Sequence, residues 1–170
     1  MNKQVHLGSW EMMRLRHGIT LRVVDQLSDE QLNAKPIAGM RSALEIVVHF
    51  YSGMKQMLDG VVSGSLGESV EKSVLEKVKT KAQLLAYMAE TWTASNAVAQ
   101  SLTDAQIGGL VKTPWGEPFP GFAILGFIHD EYLHHRGQVY AFVRSFGIEP
   151  VMLWDFDHNA PEFQKQDVKA

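Results

Sequence analysis

Four long stretches of this chain carry apolar residues at three- and four-residue spacing, and none alternates with period two for long enough to form a core strand. That contrast restricts the chain to helices packed on helices. The first stretch, 5–27, places Trp10, Met13, His17, Leu21 and Val24 on one helical face. The second begins at Ser42 and carries Ala43, Val47, Phe50, Met54, Met57 and Val61 before the Gly60–Gly67 break. Val74, Val78, Leu85, Met88, Trp92 and Val98 predict a third helix running from about 70 to 102. In the fourth, roughly 121–146, an almost unbroken stripe runs Leu125, Ile128, Tyr132, His135, Val139, Phe142 and Phe146. The expected fold is an all-α four-helix bundle, with residues 1–170 forming a single domain.

Local chemistry marks the ends of these helices. Ser42 and Glu45 have the S-x-x-E spacing of a capping box, in which each side chain satisfies an N–H that the helix leaves orphaned. Ser28–Pro36 reads as a capped single turn followed by a break, because Pro36 biases Lys35 away from helix. Segment 103–120 is rich in proline and glycine, and reads as a long loop with a short helical turn and an extended pair around Trp115–Gly116. Gly147 is placed to stop the last helix, with Pro150 beyond it. The tail carries Trp154, Phe156 and Phe163, so part of it is expected to pack back on the bundle. Leu27-Ser-Asp-Glu-Gln-Leu32 is echoed by Leu102-Thr-Asp-Ala-Gln-Ile107, each after a long helix and before the next. Two related helical hairpins would explain the echo and, allowing for a longer second loop, would make Glu131 the position equivalent to His49.

The 170-residue length suffices to bury a core without covalent staples. A net charge of −3 and a pI near 6.1 give no basic face for nucleic acid or an anionic membrane. No apolar run is long enough to span a bilayer, and charges interrupt the N-terminus where a signal peptide would be apolar, so cytoplasmic residence is expected. With no cysteine, thiolate ligands and a cysteine nucleophile are excluded, and any metal must be held by His, Asp or Glu.

Histidines lie at 6, 17, 49, 129, 134, 135 and 158. On the fourth helix, residues four apart share a face, so Glu131 and His135 project together, with Gln138 continuing the series. A carboxylate and an imidazole on an apolar stripe are costly to bury unpaired, and a shared cation would satisfy both. His49, on the shoulder of the second helix, can supply a third ligand from a facing element. Spacing alone leaves the alternative open. His49 can equally be a core histidine bonded to a carbonyl or carboxylate, and Glu131 can simply pair with His134, His135 or Arg136. His17 is either a satisfied core histidine or a fourth polar group near the site. Gln138 is either an orienting partner for a ligand or a packing amide. Arg136 is expected to pair with a carboxylate, and Gly137 to admit another helix.

The run His134-His-Arg-Gly-Gln138, followed by Val-Tyr-Ala-Phe-Val-Arg-Ser-Phe-Gly147, resembles the signature of the DinB/YfiT-like superfamily. The capped helix with Glu45 and His49, and the Leu-Ser-Asp-Glu-Gln-Leu turn before it, extend the resemblance over about 5–155. It implies a divalent ion, typically nickel or zinc, held by one histidine of the second helix and two spaced by four on the last. By position these are His49, residue 131 and His135. Residue 131 is glutamate here, which turns the three-histidine set into two histidines and a carboxylate, a combination favouring a harder ion or weaker binding. His134, and less favourably His129, are the reserve positions. The resemblance further implies a small-molecule substrate, a homodimer, and one of two activities: a metal-dependent hydrolase or a low-molecular-weight thiol transferase. A non-catalytic bundle binding a metal or small ligand is the alternative. Trp115, Phe119, Trp154 and Phe156 would suit an interface, a pocket rim or the capped ends of the bundle.

Overall fold

Ser42 accepts a hydrogen bond from the Glu45 backbone N–H while the Glu45 carboxylate accepts from the Ser42 N–H, and a long helix follows. The same reciprocal pair recurs as Ser28/Gln31, Thr80/Gln83 and Thr103/Gln106. Each cap contributes about 1 kcal/mol, so the four fix where helices begin more than they determine overall stability. The computed structural model describes residues 1–165. In chain order it contains α1 (Lys3–Asp25), α2 (Asp29–Asn33), α3 (Ala43–Ser63), α4 (Glu71–Lys77), α5 (Lys81–Ser101), α6 (Asp104–Gly108), β1 (Leu110–Val111), β2 (Phe119–Pro120), α7 (Gly121–Ser145) and a 3-10 turn at Pro161–Phe163.

The four long helices α1, α3, α5 and α7 form the bundle, with α3 packed against both α5 and α7. Trp10, Met13 and Ile19 of α1 meet Ile46, Tyr51, Met54 and Leu58 of α3, Leu84 and Met88 of α5, and Ile124 and Phe142 of α7 in one core. Complete burial of such a side chain contributes about 1.5–3 kcal/mol, so this shared core sets how the helices face one another. The two echoing segments become the short capped helices α2 and α6, each after a long helix. β1 and β2 pair antiparallel across the Trp115–Gly116 turn, Leu110 against Pro120 and Val111 against Phe119.

One expected element divides. The helix anticipated over 70–102 is α4 and α5, separated at Val78–Thr80. Val78 is extended and buried, and the Gln83 side chain takes the N–H groups of Lys79 and Thr80. Contacts from α2 secure the break: Asn33 donates to the Lys79 carbonyl and Asp29 accepts from the Lys81 N–H. Neither glycine nor proline marks it, so the periodicity ran through it unbroken.

Gly147, with φ of 74°, ends α7 in the left-handed conformation, and the tail then folds back along α1. Asn159 donates to the Leu15 and Phe163 carbonyls, and Arg22 pairs with Asp155. The crossing is tight at Gly18, where a Cβ would stand 2.5 Å from the Asn159 amide and 2.7 Å from Phe163. Phe156 is buried, whereas Trp115 and Trp154 stay exposed. No helix among the described residues is long and apolar enough to cross a membrane.

Candidate metal centre

α3 and α7 pack side by side, and this brings His49 to Glu131 and His135. Glu131 and His135 share a face of α7 by their four-residue spacing; the Glu131 Oε2 lies 3.0 Å from His135 Nε2 and 3.8 Å from His49 Nε2. The two imidazole rings stand nearly perpendicular, with centroids 4.9 Å apart. One nitrogen from each histidine and one glutamate oxygen lie within 4.8 Å of one another. His135 is buried, whereas His49 and Glu131 are partly open to solvent.

The remaining nitrogens are also held. His49 Nδ1 lies 2.7 Å from Glu71 Oε2, and His135 Nδ1 lies 2.8 Å from Gln138 Oε1. The Gln138 amide is oriented by its other end, which donates to His134 Nε2 at 3.2 Å. A proton on each Nδ1, donated to these outer acceptors, leaves each Nε2 lone pair facing the Glu131 oxygen. A neutral ring cannot satisfy acceptors at both nitrogens; either a second proton on the ring or a cation among the two Nε2 atoms and the carboxylate resolves that conflict. The donor set suits it: imidazole nitrogens and a carboxylate bind borderline divalent ions, and outer partners on Nδ1 are the usual way such ligands are oriented.

Glu71 is the residue that sequence reasoning missed. It opens α4, and its second oxygen lies 3.5 Å from the Arg41 guanidinium. No periodic signal joins residue 71 to residue 49; only the fold-back of α4 on α3 does. Gln138 sits where the helical series placed it. His134 is exposed and touches the site through Gln138 and through an edge-on contact with the His135 ring, centroids 4.8 Å apart.

Two expectations change and a third is decided. Arg136 meets no carboxylate among the described residues; its guanidinium lies 5.6 Å from the Tyr132 ring centroid. Gly137 is exposed and no helix approaches it. His17 lies apart from the trio, buried among aromatic rings. Its Nδ1 is 2.6 Å from the Tyr51 hydroxyl, Trp92 stacks on it at 4.5 Å, and Phe163 meets it edge-on. Burial pushes its pKa down to about 3, and Nε2 has no partner. His6 bonds the Ala99 carbonyl; His129, also partly buried, is held below its ordinary pKa by desolvation first and then by Arg16.

Comparison with known proteins accords with this picture. The model of the DinB family matches residues 1–165. The uncharacterized protein YjoA of Bacillus subtilis is 24% identical over 132 residues, covering 76% of this chain and 82% of that protein. The crystal structure of the DinB-like YjoA superposes with a TM-score of 0.67 at 19% identity, covering 81% of this chain and 91% of that one. A DinB-like protein from Bacillus cereus gives a TM-score of 0.71 at 21% identity, covering 89% of this chain and 99% of that one. At these identities the two structures establish a shared fold.

Proposed function

We propose that this chain, which belongs to the DinB family, is a metal-dependent enzyme whose divalent ion is held by His49, Glu131 and His135. One observation carries the reading: both Nε2 atoms and a carboxylate oxygen converge, while Glu71 and Gln138 occupy both outward Nδ1 positions. When bound, the ion supplies Lewis acidity that favours the deprotonated form of a water or low-molecular-weight thiol and polarises an acceptor group. The chain's own residues set the rest. Glu71 and Gln138 fix the tautomer and rotation of the two imidazoles. Glu131 brings one negative charge to two neutral rings, leaving net positive charge at the centre. Among the described residues three protein ligands converge, and the open side at His49 and Glu131 gives a small substrate access. Hydrolysis and thiol transfer both fit this arrangement.

The test is elemental analysis of protein purified without added metal, covering zinc, nickel, iron and manganese. About one equivalent is expected, lost in both His49→Ala and His135→Ala. Protein that carries no metal and takes up none on equilibrium dialysis would sink the reading. With metal present, a hydrolase screen run beside thiol-transfer assays with varied thiols identifies the reaction.

A further inference from the structure

The face of α7 turned away from the metal centre borders a groove of about 640 Å³, closed on its other side by the tail from Glu149 to Trp154. Arg136, Tyr140 and Arg144 follow one another at four-residue intervals along it, on roughly the opposite side of the helix from Glu131 and His135. Leu133, Met152 and Trp154 supply its apolar wall, and all three are substantially exposed, Trp154 at 58%.

The polar groups of this groove are donors in search of an acceptor. Arginine ion pairs among the described residues are made by Arg14, Arg22 and Arg41, and neither Arg136 nor Arg144 has one. Glu149 stands on the same rim and pairs with neither. Tyr140 is 8% exposed and its hydroxyl has no partner. Burial pushes that hydroxyl's pKa up to about 12, against the opposing pull of Arg136 and Arg144, so at neutral pH it is a donor. A buried hydroxyl without a partner costs about 1–3 kcal/mol. Two guanidinium groups without a carboxylate partner, Arg136 resting over the Tyr132 ring, stand beside an apolar, aromatic wall and are complementary to one kind of molecule.

We propose that this groove is a second ligand site, separate from the metal centre, for a small organic carboxylate with an apolar body. Arg136 and Arg144 take the carboxylate, and Trp154 and Met152 cover the apolar part. Calorimetric titration of the full chain with 1-naphthaleneacetate and its neutral counterpart 1-naphthaleneacetamide tests this. The acid is expected to bind one per chain, at least about tenfold tighter than the amide, the worth of one charge-assisted contact. Arg136→Gln and Arg144→Gln each erase most of that preference, Tyr140→Phe leaves it in place, and Trp154→Ala weakens both probes. None of the four substitutions changes metal content, so this result stands or falls independently of the metal reading. Equal binding of acid and amide, absence of binding, or a preference that survives both arginine substitutions overturns the proposal. So does a solution dimer that Gly137→Arg dissociates and that takes up neither probe, which would give the face to a second copy.

Discussion

His17 and the His49–His135 pair sit against the same helix, α3, yet the structure gives them opposite chemistry. His17 is enclosed by Trp92, Tyr51 and Phe163, with one hydrogen bond and one orphaned nitrogen. His49 and His135 have an acceptor facing each of their four nitrogens. Burial alone, which His17 has more of than His49, makes a histidine inert: desolvation holds it neutral with nothing to bind. A ligand histidine needs one nitrogen tied outward and the other left facing an anion. Counting histidines on apolar stripes cannot separate the two cases, because what differs lies on other elements.

The contrast breaks most sharply at the ligands. His135→Ala and His49→Ala are each expected to take bound metal from about one equivalent to none. Glu131→Ala does the same, and Glu131→His restores it, since an imidazole at that position completes three nitrogen ligands. His17→Gln leaves metal content unchanged. If His17→Gln also strips the ion, the separation of the two environments is wrong.

Glu71→Ala and Gln138→Ala come next. Both leave the ligands in place but free their rings, and metal affinity measured by chelator competition is expected to fall roughly 10–100-fold, the usual effect of losing an orienting partner. An unchanged affinity in both would make the Nδ1 contacts incidental.

The third effect belongs to His17 and is a stability effect. Its pKa is 6.5 in the unfolded chain and about 3 when folded, so between those values the unfolded state binds the extra proton. The penalty is absent above pH 6.5, grows as pH falls and saturates below 3; within the window stability drops by up to about 1.4 kcal/mol per pH unit. His6 and His129, also held below 6.5, act in the same direction. Urea midpoints measured from pH 6.5 down to pH 4 should fall less steeply in His17→Gln than in the parent. Parallel curves would contradict the burial argument.

Arg41→Ala gives the smallest change. The guanidinium stands 3.5 Å from Glu71 and is half exposed, so its loss is expected to cost under about 1 kcal/mol, or less than about fivefold in metal affinity. A larger loss would place Arg41 among the residues that build the site.

Much of this molecule is written locally. The starts of α2, α3, α5 and α6 are S/T-x-x-E/Q pairs, of which Ser42/Glu45 is plain in the sequence; Thr80/Gln83 is equally present but hidden inside a continuous apolar period. The four-residue spacing of Glu131 and His135 is likewise a property of one helix, and Gln138 follows from it. Glu71 was invisible, since a surface-looking glutamate in a charged segment gives no hint of a partner 22 residues earlier. The uncompensated Arg136 and Arg144 were equally hidden: a free guanidinium is defined by carboxylates that are not near it.

At the candidate metal centre, order along the chain was enough to establish that a bundle forms, where most of its helices start, and that a carboxylate and an imidazole share one face of the last. Backbone hydrogen bonding and side-chain periodicity act within a few residues, so they can be read from order alone. Only the tertiary structure decided that His49 meets that pair, that Glu71 and Gln138 hold the outward nitrogens, and that His17 does not join them. Those outcomes depend on how α3, α4 and α7 interdigitate, and packing across helices is set by the whole core at once.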